Sequence, residues 1–456
     1  MYKNMNLTMK GKFFILLTAF LLMMCSLAEA QERTIEEAKQ IAEQFVSWYD
    51  VASSRSDADQ KSDSLVKLVD RLKGCYLYNV TDCHGWVVVN RNPKGPSILA
   101  FSEKGQLDMA NMPEGMKKWL AACSSCQDEK DSESCEEYYE WPDINPLLTT
   151  EWGQFAPYNL MLPMVANRDS VLEGKDYYWT PAATGCVAVA ICQLMNYYKW
   201  PKETLAPIVY EYDGPWLQYM SSTLEELPIT TFEWDEMKDV YEPTDSSCSA
   251  WAVAKLMRYV GQSLPTTYCY ENNKVYAGSS LALQKLVKYF GYSDSIRVYR
   301  TMTSYRETRD EEIPVWTLRD REEKVYAELK NGCPVLILGV DYNNKISHTF
   351  LCDGYQDPGF FHINWGWNGL CNGYFHMLSF VLEEQDKKAD YSIVNYMFVI
   401  YPSSSVADIN ESIVERKSDG YSAIYDFSGR RLKEAPQKGI YIKDGKKIYL
   451  NNRFLK

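Results

Sequence analysis

The stretch that decides the fold is TPAATGCVAVAICQLMNYY, which runs from Thr180 to Tyr198. Small residues lead into Thr184, which is placed to cap a helix, and Cys186 falls in the first turn. The helix is apolar on nearly every face, so we expect only its N-terminal end to reach a surface or cleft. Backbone N–H groups and the helix dipole at that end lower the pKa of a thiol. The stretch therefore predicts a reactive cysteine, the alternative being a buried small residue like Cys192.

Only four histidines occur in the 456 residues, so any histidine partner for this thiol must be one of them. His348 lies in the strand-like run ISHTFLCDGY, where a ring at the start of a central strand can open onto a cleft. His84 belongs to the N-terminal part of the chain, and His362 and His376 fit packed strands better. The pattern favours His348 as the partner.

The next strand-like run carries two further candidates. Asn364 can accept a hydrogen bond from one ring N–H of a histidine, and Trp365 can cover that contact and exclude water. Nucleophile, base and orienting group together indicate a cysteine hydrolase, which needs neither a metal nor an organic cofactor. Cys123 and Cys126 form a C-x-x-C without a second ligand pair, so disulfides or free thiols are favoured over a zinc site.

These motifs together resemble the streptopain-type family of papain-like cysteine peptidases. The matching stretches are ATGCVA with QLMNYY behind it, His348 with the following DGY, and FHINWGW. The resemblance spans about residues 146–402 and implies a papain-like α+β fold of two subdomains. It implies that Cys186 is the nucleophile, His348 the catalytic histidine and Gln154 a donor of the oxyanion hole. Two further residues would support the histidine: Asn364 and Trp365.

The element pattern agrees with an α+β class. Helical patterns come first in the catalytic region and strand patterns follow, without βαβ alternation. The expected helices span residues 185–198, 250–260, 281–289 and 321–330, and the expected strands 334–341, 347–355, 359–364, 373–377 and 395–401. The walls of the specificity pocket are expected to include residues 277–280 and the loop before His348. The family resemblance implies a bulky apolar residue on the acyl side of the bond.

The N-terminal part reads as a separate α+β unit over residues 31–140. Helical patterns at 34–51 and 111–122 flank strand patterns at 75–80, 85–90 and 97–101. An acidic segment at 127–140 follows, which we interpret as an exposed linker and cleavage zone, or else as a solvated loop without a processing role. The resemblance implies that residues 31–140 are an inhibitory propeptide that covers the cleft and is removed before residues 141–402 become active.

Both termini carry their own signals. Residues 1–30 are predicted to be a signal peptide. Basic residues come first, an uncharged run from Phe13 to Met24 follows, and an A-x-A cleavage pattern ends the segment at Ala28–Ala30. A membrane span is less favoured because the run is short, and a lipoprotein anchor at Cys25 is the weaker alternative. Residues 403–456 predict a linker and a small all-β module with a hairpin around Asp444-Gly445.

The stretches IYDFSGRRL at 424–432, KGIYI at 438–442 and GKKI at 445–448 resemble the C-terminal sorting domain of the type IX secretion route in Bacteroidetes. This resemblance implies that secretion machinery recognises residues 421–456. The alternative is an accessory β module packed on the catalytic domain. A net charge of −13 argues against general nucleic-acid binding. We therefore predict a secreted or cell-surface cysteine endopeptidase made as a zymogen, with peptide substrates and its own propeptide as partners. The rival functions are a catalytically silent secreted binding protein on the same fold and a thiol acyl transferase.

Overall fold

The computed structural model describes residues 32–49, 64–81, 85–122, 141–271, 274–278, 283–294, 297–301, 318–341, 346–376 and 395–403, and short strands between 424 and 450. The helices are α1 Ile35–Tyr49, α2 Glu114–Ala122, α3 Arg168–Leu172, α4 Cys186–Tyr198, α5 Cys248–Ser263, α6 Leu283–Phe290 and α7 Leu318–Lys330. The first strands are β1 Val66–Arg71, β2 Cys75–Val80, β3 Trp86–Asn90, β4 Ile98–Ser102, β5 Met164–Ala166, β6 Trp179–Pro181, β7 Thr267–Glu271, β8 Lys274–Gly278 and β9 Arg297–Thr301.

The later strands form the part of the chain that carries the candidate histidine. They are β10 Val335–Asp341, β11 Ile346–Gln356, β12 Phe360–Asn364, β13 Gly373–His376, β14 Asn395–Val399, β15 Ile424–Tyr425, β16 Arg431–Leu432, β17 Gly439–Lys443 and β18 Lys446–Leu450. None of the described helices is both long and apolar enough to cross a membrane.

A ten-stranded antiparallel sheet organises the molecule, in the order β1-β2-β3-β4-β13-β12-β11-β10-β14-β9. Because successive side chains of a strand point to opposite faces, this sheet buries side chains on both faces. Helix α1 packs on β1 to β4 and Phe360 in one core, and two further cores lie around the later strands. On β11, Leu351 packs into one core with α4, α5 and α6, a side that we name the α4 face. Its neighbours Phe350 and Cys352 pack into the other core with α2 and α7, which we name the α2 face.

The N-terminal unit joins the sheet at its edge. Strand β4 pairs with β13, which places Phe101 beside Tyr374 and Ala100 beside Phe375. Trp119 of α2 meets the Phe375 ring edge-on at 5.0 Å between ring centroids, and both side chains are buried. Full burial of such a side chain contributes ~1.5–3 kcal/mol, so a shared core of this kind holds the two units together firmly.

The α+β class and the predicted elements of the sheet are confirmed, with boundaries within about two residues. Helix α5 is longer than predicted at both ends, and the patterns missed β1, the β5–β6 and β7–β8 hairpins, β9 and α3. Strands β17 and β18 pair as an antiparallel hairpin around residues 444–445, as predicted. The signal peptide, the Cys123 and Cys126 pair and the acidic linker lie outside the described residues.

Candidate active site

Helix α4 begins at Cys186, and its first turn faces the open end of the site. The N-cap is Gly185, with φ +88°, and no side chain caps the helix. The predicted cap from Thr184 is wrong, and its buried hydroxyl has no hydrogen-bond partner among the described residues. A Cβ at position 185 would lie 3.2 Å from both Cβ and the carbonyl oxygen of Ala277, so both the φ angle and the space require glycine.

The Cys186 thiol is free and only partly buried. Surrounding protein nevertheless desolvates it, which raises its pKa above the ordinary value. Backbone N–H groups of Thr349, Val187 and Cys186 itself donate to the sulphur and partly oppose this increase. The lowered pKa that we expected from the helix terminus alone is therefore wrong for this form of the protein, because desolvation outweighs the donors.

The His348 ring lies on the α2 face of β11. Its Nε2 is 3.0 Å from the carbonyl oxygen of Trp365, and a carbonyl can only accept, so Nε2–H donates. The ring stacks on Trp367 with centroids 4.6 Å apart and planes 23° apart. Burial lowers the pKa of His348 to about 4, with the Trp365 bond opposing that decrease. Among the described residues no hydrogen bond joins His348 to Cys186.

The two candidate catalytic groups meet β11 at neighbouring residues. Thr349, whose N–H contacts the thiol, follows His348 directly, and the backbone N–H groups of a strand point sideways within the sheet, whereas the His348 side chain extends onto the α2 face. Strand β12 pairs with β11 only from Leu351 onward, so the first part of β11 is open on that side. The thiol of Cys186 contacts β11 in this part.

Helix α2 lies against the indole that stacks on His348. A Cβ added to Gly115 would lie 2.6 Å from Cζ2 of Trp367, so the helix backbone is in close contact with this ring. Trp365 stacks on Trp367 in turn, with centroids 5.1 Å apart. We expected the propeptide to cover the cleft. The described contacts of the propeptide region include the β4–β13 pairing and the contact of α2 with Trp367, the indole that stacks on His348.

Gln154 approaches the nucleophile through the backbone. Its carbonyl oxygen accepts a hydrogen bond from the Thr184 N–H at 2.9 Å, two residues before Cys186. The preceding Gly153 is held closely, because a Cβ there would lie 2.0 Å from Oδ1 of Asn368. The structure therefore places the Gln154 backbone beside the N-terminus of α4, where an oxyanion donor is needed.

Asn364 does not orient the imidazole as we expected. Its Nδ2 donates to the Thr150 carbonyl at 2.7 Å, and its Oδ1 accepts from the Gly366 N–H at 3.2 Å. Asn364 is buried at the end of β12 and its amide contacts the α4 side, whereas the ring of His348 lies on the α2 face. The group that hydrogen-bonds to the ring is the Trp365 carbonyl, and the Trp365 indole stacks on the imidazole with centroids 6.0 Å apart.

The remaining histidines have structural surroundings. His362 Nδ1 donates to Oδ1 of the buried Asp353 at 2.6 Å, which confirms it as a satisfied strand residue. His376 lies in β13, where burial lowers its pKa to about 4. His84 lies outside the described residues. Within the described ranges, no group of three or more His, Cys, Asp or Glu side chains is arranged to hold a metal ion.

Sequence reasoning missed two residues that contact the site. Thr349 donates its N–H to the thiol, and Gln193 places a buried amide between α4, the Gln154 segment and Asn364. Gln193 carried a signal, because it is a polar residue two turns after Cys186 on a helix that is apolar up to that point. Thr349 carried none, since its role depends on which face of β11 meets α4.

Comparison with known proteins agrees with this geometry. Residues 152–375 match the Peptidase C10 family, and residues 30–126 match the Spi protease inhibitor family. Streptopain of Streptococcus pyogenes is 28% identical over 362 residues, which cover 76% of this chain and 85% of streptopain. The thiol protease/hemagglutinin PrtT of Porphyromonas gingivalis is 27% identical over 387 residues, 80% of this chain and 41% of PrtT.

A solved structure shows the same fold. The prointerpain A fragment of Prevotella intermedia superposes with a TM-score of 0.54 at 24% identity, covering 73% of this chain and 97% of the fragment. The papain-like α+β fold is thereby confirmed. The chain therefore contains a streptopain-like domain of the Peptidase C10 family behind a Spi inhibitor-like propeptide region, and it is a cysteine endopeptidase organised as a zymogen.

Proposed function

We propose that the mature protein hydrolyses peptide bonds through Cys186 and His348, with Gln154 in the oxyanion hole. The observation that carries this proposal is the contact of Cys186 with Thr349, the residue directly after His348. The backbone that bears His348 is thus already at the thiol, and a local rearrangement that moves the ring around the strand would join the two groups.

The proposed reaction proceeds through an acyl-enzyme. The Cys186 thiolate attacks the scissile carbonyl carbon, and the electron pair of the C=O bond moves to oxygen, where the Gln154 amide and the Cys186 N–H donate to it. His348 as imidazolium protonates the leaving amine as the C–N bond breaks. His348 then takes a proton from the water that attacks the thioester, and the C–S bond breaks to release the acid and restore the Cys186 thiolate beside the His348 imidazolium.

The described arrangement supports latency of the precursor. A neutral His348 whose Nε2–H is donated to Trp365 has no contact through which it could deprotonate Cys186. We propose that residues 31–140 act as the propeptide and residues 141–402 as the catalytic domain. Trp141 stacks on Tyr326 at 4.5 Å, and Ile144 pairs with Tyr355, so a cut before residue 141 preserves the contacts that anchor the new N-terminus.

We also propose that the protein is exported, on the basis of the signal-peptide pattern at residues 1–30. Residues 403–456 would then be a linker and a sorting module that the type IX machinery of a Bacteroidetes cell recognises at residues 421–456. Deleting residues 421–456 should leave the protein in the periplasm of such a host. Fractionation and immunoblotting measure this, and unchanged release would favour the accessory β module. A lipid-modified Cys25 would instead appear as acylated peptide in membrane fractions.

The function is tested with the full precursor, its Cys186→Ala variant and a Cys192→Ala variant as the matched control. Cys192 is a buried cysteine on the same helix. Each protein is incubated with a denatured protein substrate and followed by mass spectrometry. Loss of the N-terminal region and new substrate peptides are expected for wild type and Cys192→Ala alone.

Two results would contradict the proposal. Absence of cleavage by every protein, even after the propeptide is trimmed with an external protease, would favour the binding-protein function. Transfer of the acyl group to an added amine in preference to water would favour an acyl transferase.

A further inference from the structure

Gln193 is a buried glutamine whose amide touches three parts of the candidate site. It lies on α4, seven residues after Cys186, and therefore on nearly the same side of the helix. Only 1% of its surface is exposed. A buried amide must find hydrogen-bond partners, so its contacts report what holds it there.

The Gln193 oxygen accepts from the segment that leads to Gln154. Oε1 receives the Trp152 N–H at 3.1 Å and the Thr150 hydroxyl at 3.0 Å. The Trp152 N–H can only donate, so it identifies which end of the amide is the oxygen. Trp152 is two residues before Gln154, and the carbonyl of Trp152 accepts from the Asn368 N–H at 3.2 Å. The approach to the oxyanion donor is therefore held from both sides.

The same amide pairs with Asn364. Gln193 Nε2 donates to Asn364 Oδ1, and Asn364 Nδ2 donates to Gln193 Oε1, each at 3.2 Å. Asn364 extends the network to the Thr150 carbonyl and the Gly366 N–H. Three segments distant in sequence thus meet at one side chain: the nucleophile helix, the approach to Gln154, and the turn that bears Trp365.

We propose that Gln193 is a positioning residue that sets the Gln154 segment and the Asn364–Gly366 turn relative to Cys186, so that the oxyanion donor is correctly aimed. This inference rests on the proposed function, because it assigns Gln193 to the oxyanion hole of that reaction. Without the Gln193 amide, the Trp152 N–H and the Asn364 amide lose a buried partner. The Gln154 segment keeps its contacts with Thr184 and the Asn368 turn, and the Trp152 indole N–H still donates to the Lys238 carbonyl, but its direct hydrogen bond to the nucleophile helix through Gln193 is lost.

The test separates the oxyanion hole from the nucleophile. Full-length wild type, Gln193→Glu and Gln193→Met are activated by trimming with an external protease. Gln193→Glu keeps the shape and the acceptor but loses the Nε2 donor to Asn364, and it provides a second variant if Gln193→Met does not fold. Alkylation of Cys186 by iodoacetamide reports the thiol, and protection by a peptide aldehyde reports the oxyanion hole, because the aldehyde forms a tetrahedral adduct.

Gln262→Met is the matched control. Gln262 is fully buried on α5, and its Nε2 donates to the carbonyls of Ile208 and Glu225, which lie in a different part of the core from the network around Gln193. This variant loses buried hydrogen bonds of the same kind. Its melting temperature shows how far a general loss of stability affects both readouts.

We expect aldehyde affinity and kcat to fall at least ~10-fold in the Gln193 variants, up to the ~10²–10³ of a deleted oxyanion donor. Cys186 alkylation should stay within about twofold of wild type, and Gln262→Met should change neither quantity. Unchanged aldehyde affinity, or parallel losses of affinity and alkylation that follow melting temperature, would overturn the inference. If trimmed wild type itself neither binds the aldehyde nor cleaves peptides, the proposed function fails along with it.

Discussion

The two halves of the candidate active site differ in how closely their side chains approach the arrangement that catalysis requires. On the α4 face, Cys186 begins its helix at a glycine N-cap, and the Gln154 backbone is bonded to Thr184 beside it. On the α2 face, His348 is neutral, donates to Trp365 and stacks on Trp367. The thiol contacts the backbone of β11 at Thr349, and the imidazole extends from the preceding residue onto the α2 face.

The difference follows from which residues build each face. Among the described residues, the core around α4, α5 and α6 consists of residues of the catalytic region alone. The core of the α2 face contains propeptide residues, including Met116 and Trp119, packed with Trp365 and Phe375. The conformation of the histidine half is therefore linked to the presence of the propeptide, whereas the nucleophile half is not.

The largest expected effect separates the roles of His348 before and after maturation. His348→Ala should lower kcat/KM of the mature enzyme by ~10⁴-fold or more, because it removes the acid and base of the reaction. The same change should alter Cys186 alkylation in the intact precursor by less than about twofold, since the ring donates its Nε2–H to Trp365 there and no described hydrogen bond joins it to the thiol.

His376→Gln is the control for this pair of measurements. It removes another buried histidine of the same sheet, one that lies in β13 and has no role in the proposed mechanism. If the Cys186 reactivity of the precursor depended strongly on His348, the thiol and the imidazole would already interact before maturation. That result would contradict the described difference between the two halves of the site.

An intermediate effect is expected at the contact between α2 and Trp367. Gly115→Val places side-chain atoms where the Trp367 ring lies, and overpacking of this kind typically costs ~1–3 kcal/mol. The propeptide should dock less firmly, so the precursor should process itself ~10-fold faster in a mass-spectrometric time course. Lys117→Ala, on the same helix but paired only with Glu114, should process at the wild-type rate. Slower or unchanged processing of Gly115→Val would argue against this contact as a restraint.

The smallest effect concerns pH. Burial lowers the pKa of His348 from 6.5 to about 4 in the folded precursor, so the unfolded chain binds more protons between these values. The neutral, buried His348 therefore contributes its full stability above pH 6.5 and loses it as pH falls toward 4. Melting temperatures of Cys186→Ala and Cys186→Ala/His348→Asn precursors should converge on acidification over this range.

His376 has the same direction of shift in both proteins, so its contribution cancels in the comparison. A difference in melting temperature that is independent of pH would mean that His348 titrates normally, in contact with water. That result would contradict the burial of the His348 ring on the α2 face.

The sequence predicted the parts of the site that depend on local pattern. The apolar helix with Cys186 in its first turn and the strands that bear His348 and Asn364 all follow from periodicity and motif. The pairing of β4 with β13 and the contact of Gly115 with Trp367 could not be predicted, because they join residues far apart in the chain.

Two local expectations failed for physical reasons. Thr184 was expected to cap α4, but Gly185 takes the N-cap position with a positive φ and leaves the threonine hydroxyl buried. Asn364 was expected to orient the imidazole, but its amide pairs with Gln193 across the α4 face. In both cases the sequence shows a polar side chain close to a group that it could bind. It does not show which face of the helix or strand that side chain will occupy.

The most direct test of this account is the pH dependence of Cys186 alkylation, measured peptide by peptide in the intact precursor and in the trimmed enzyme. We predict a thiol pKa above its ordinary value in the precursor, where burial dominates, and a clearly lower one after trimming, when His348 can pair with the thiolate. Identical profiles with a low pKa in both forms would contradict the claim that only the nucleophile half is formed before maturation.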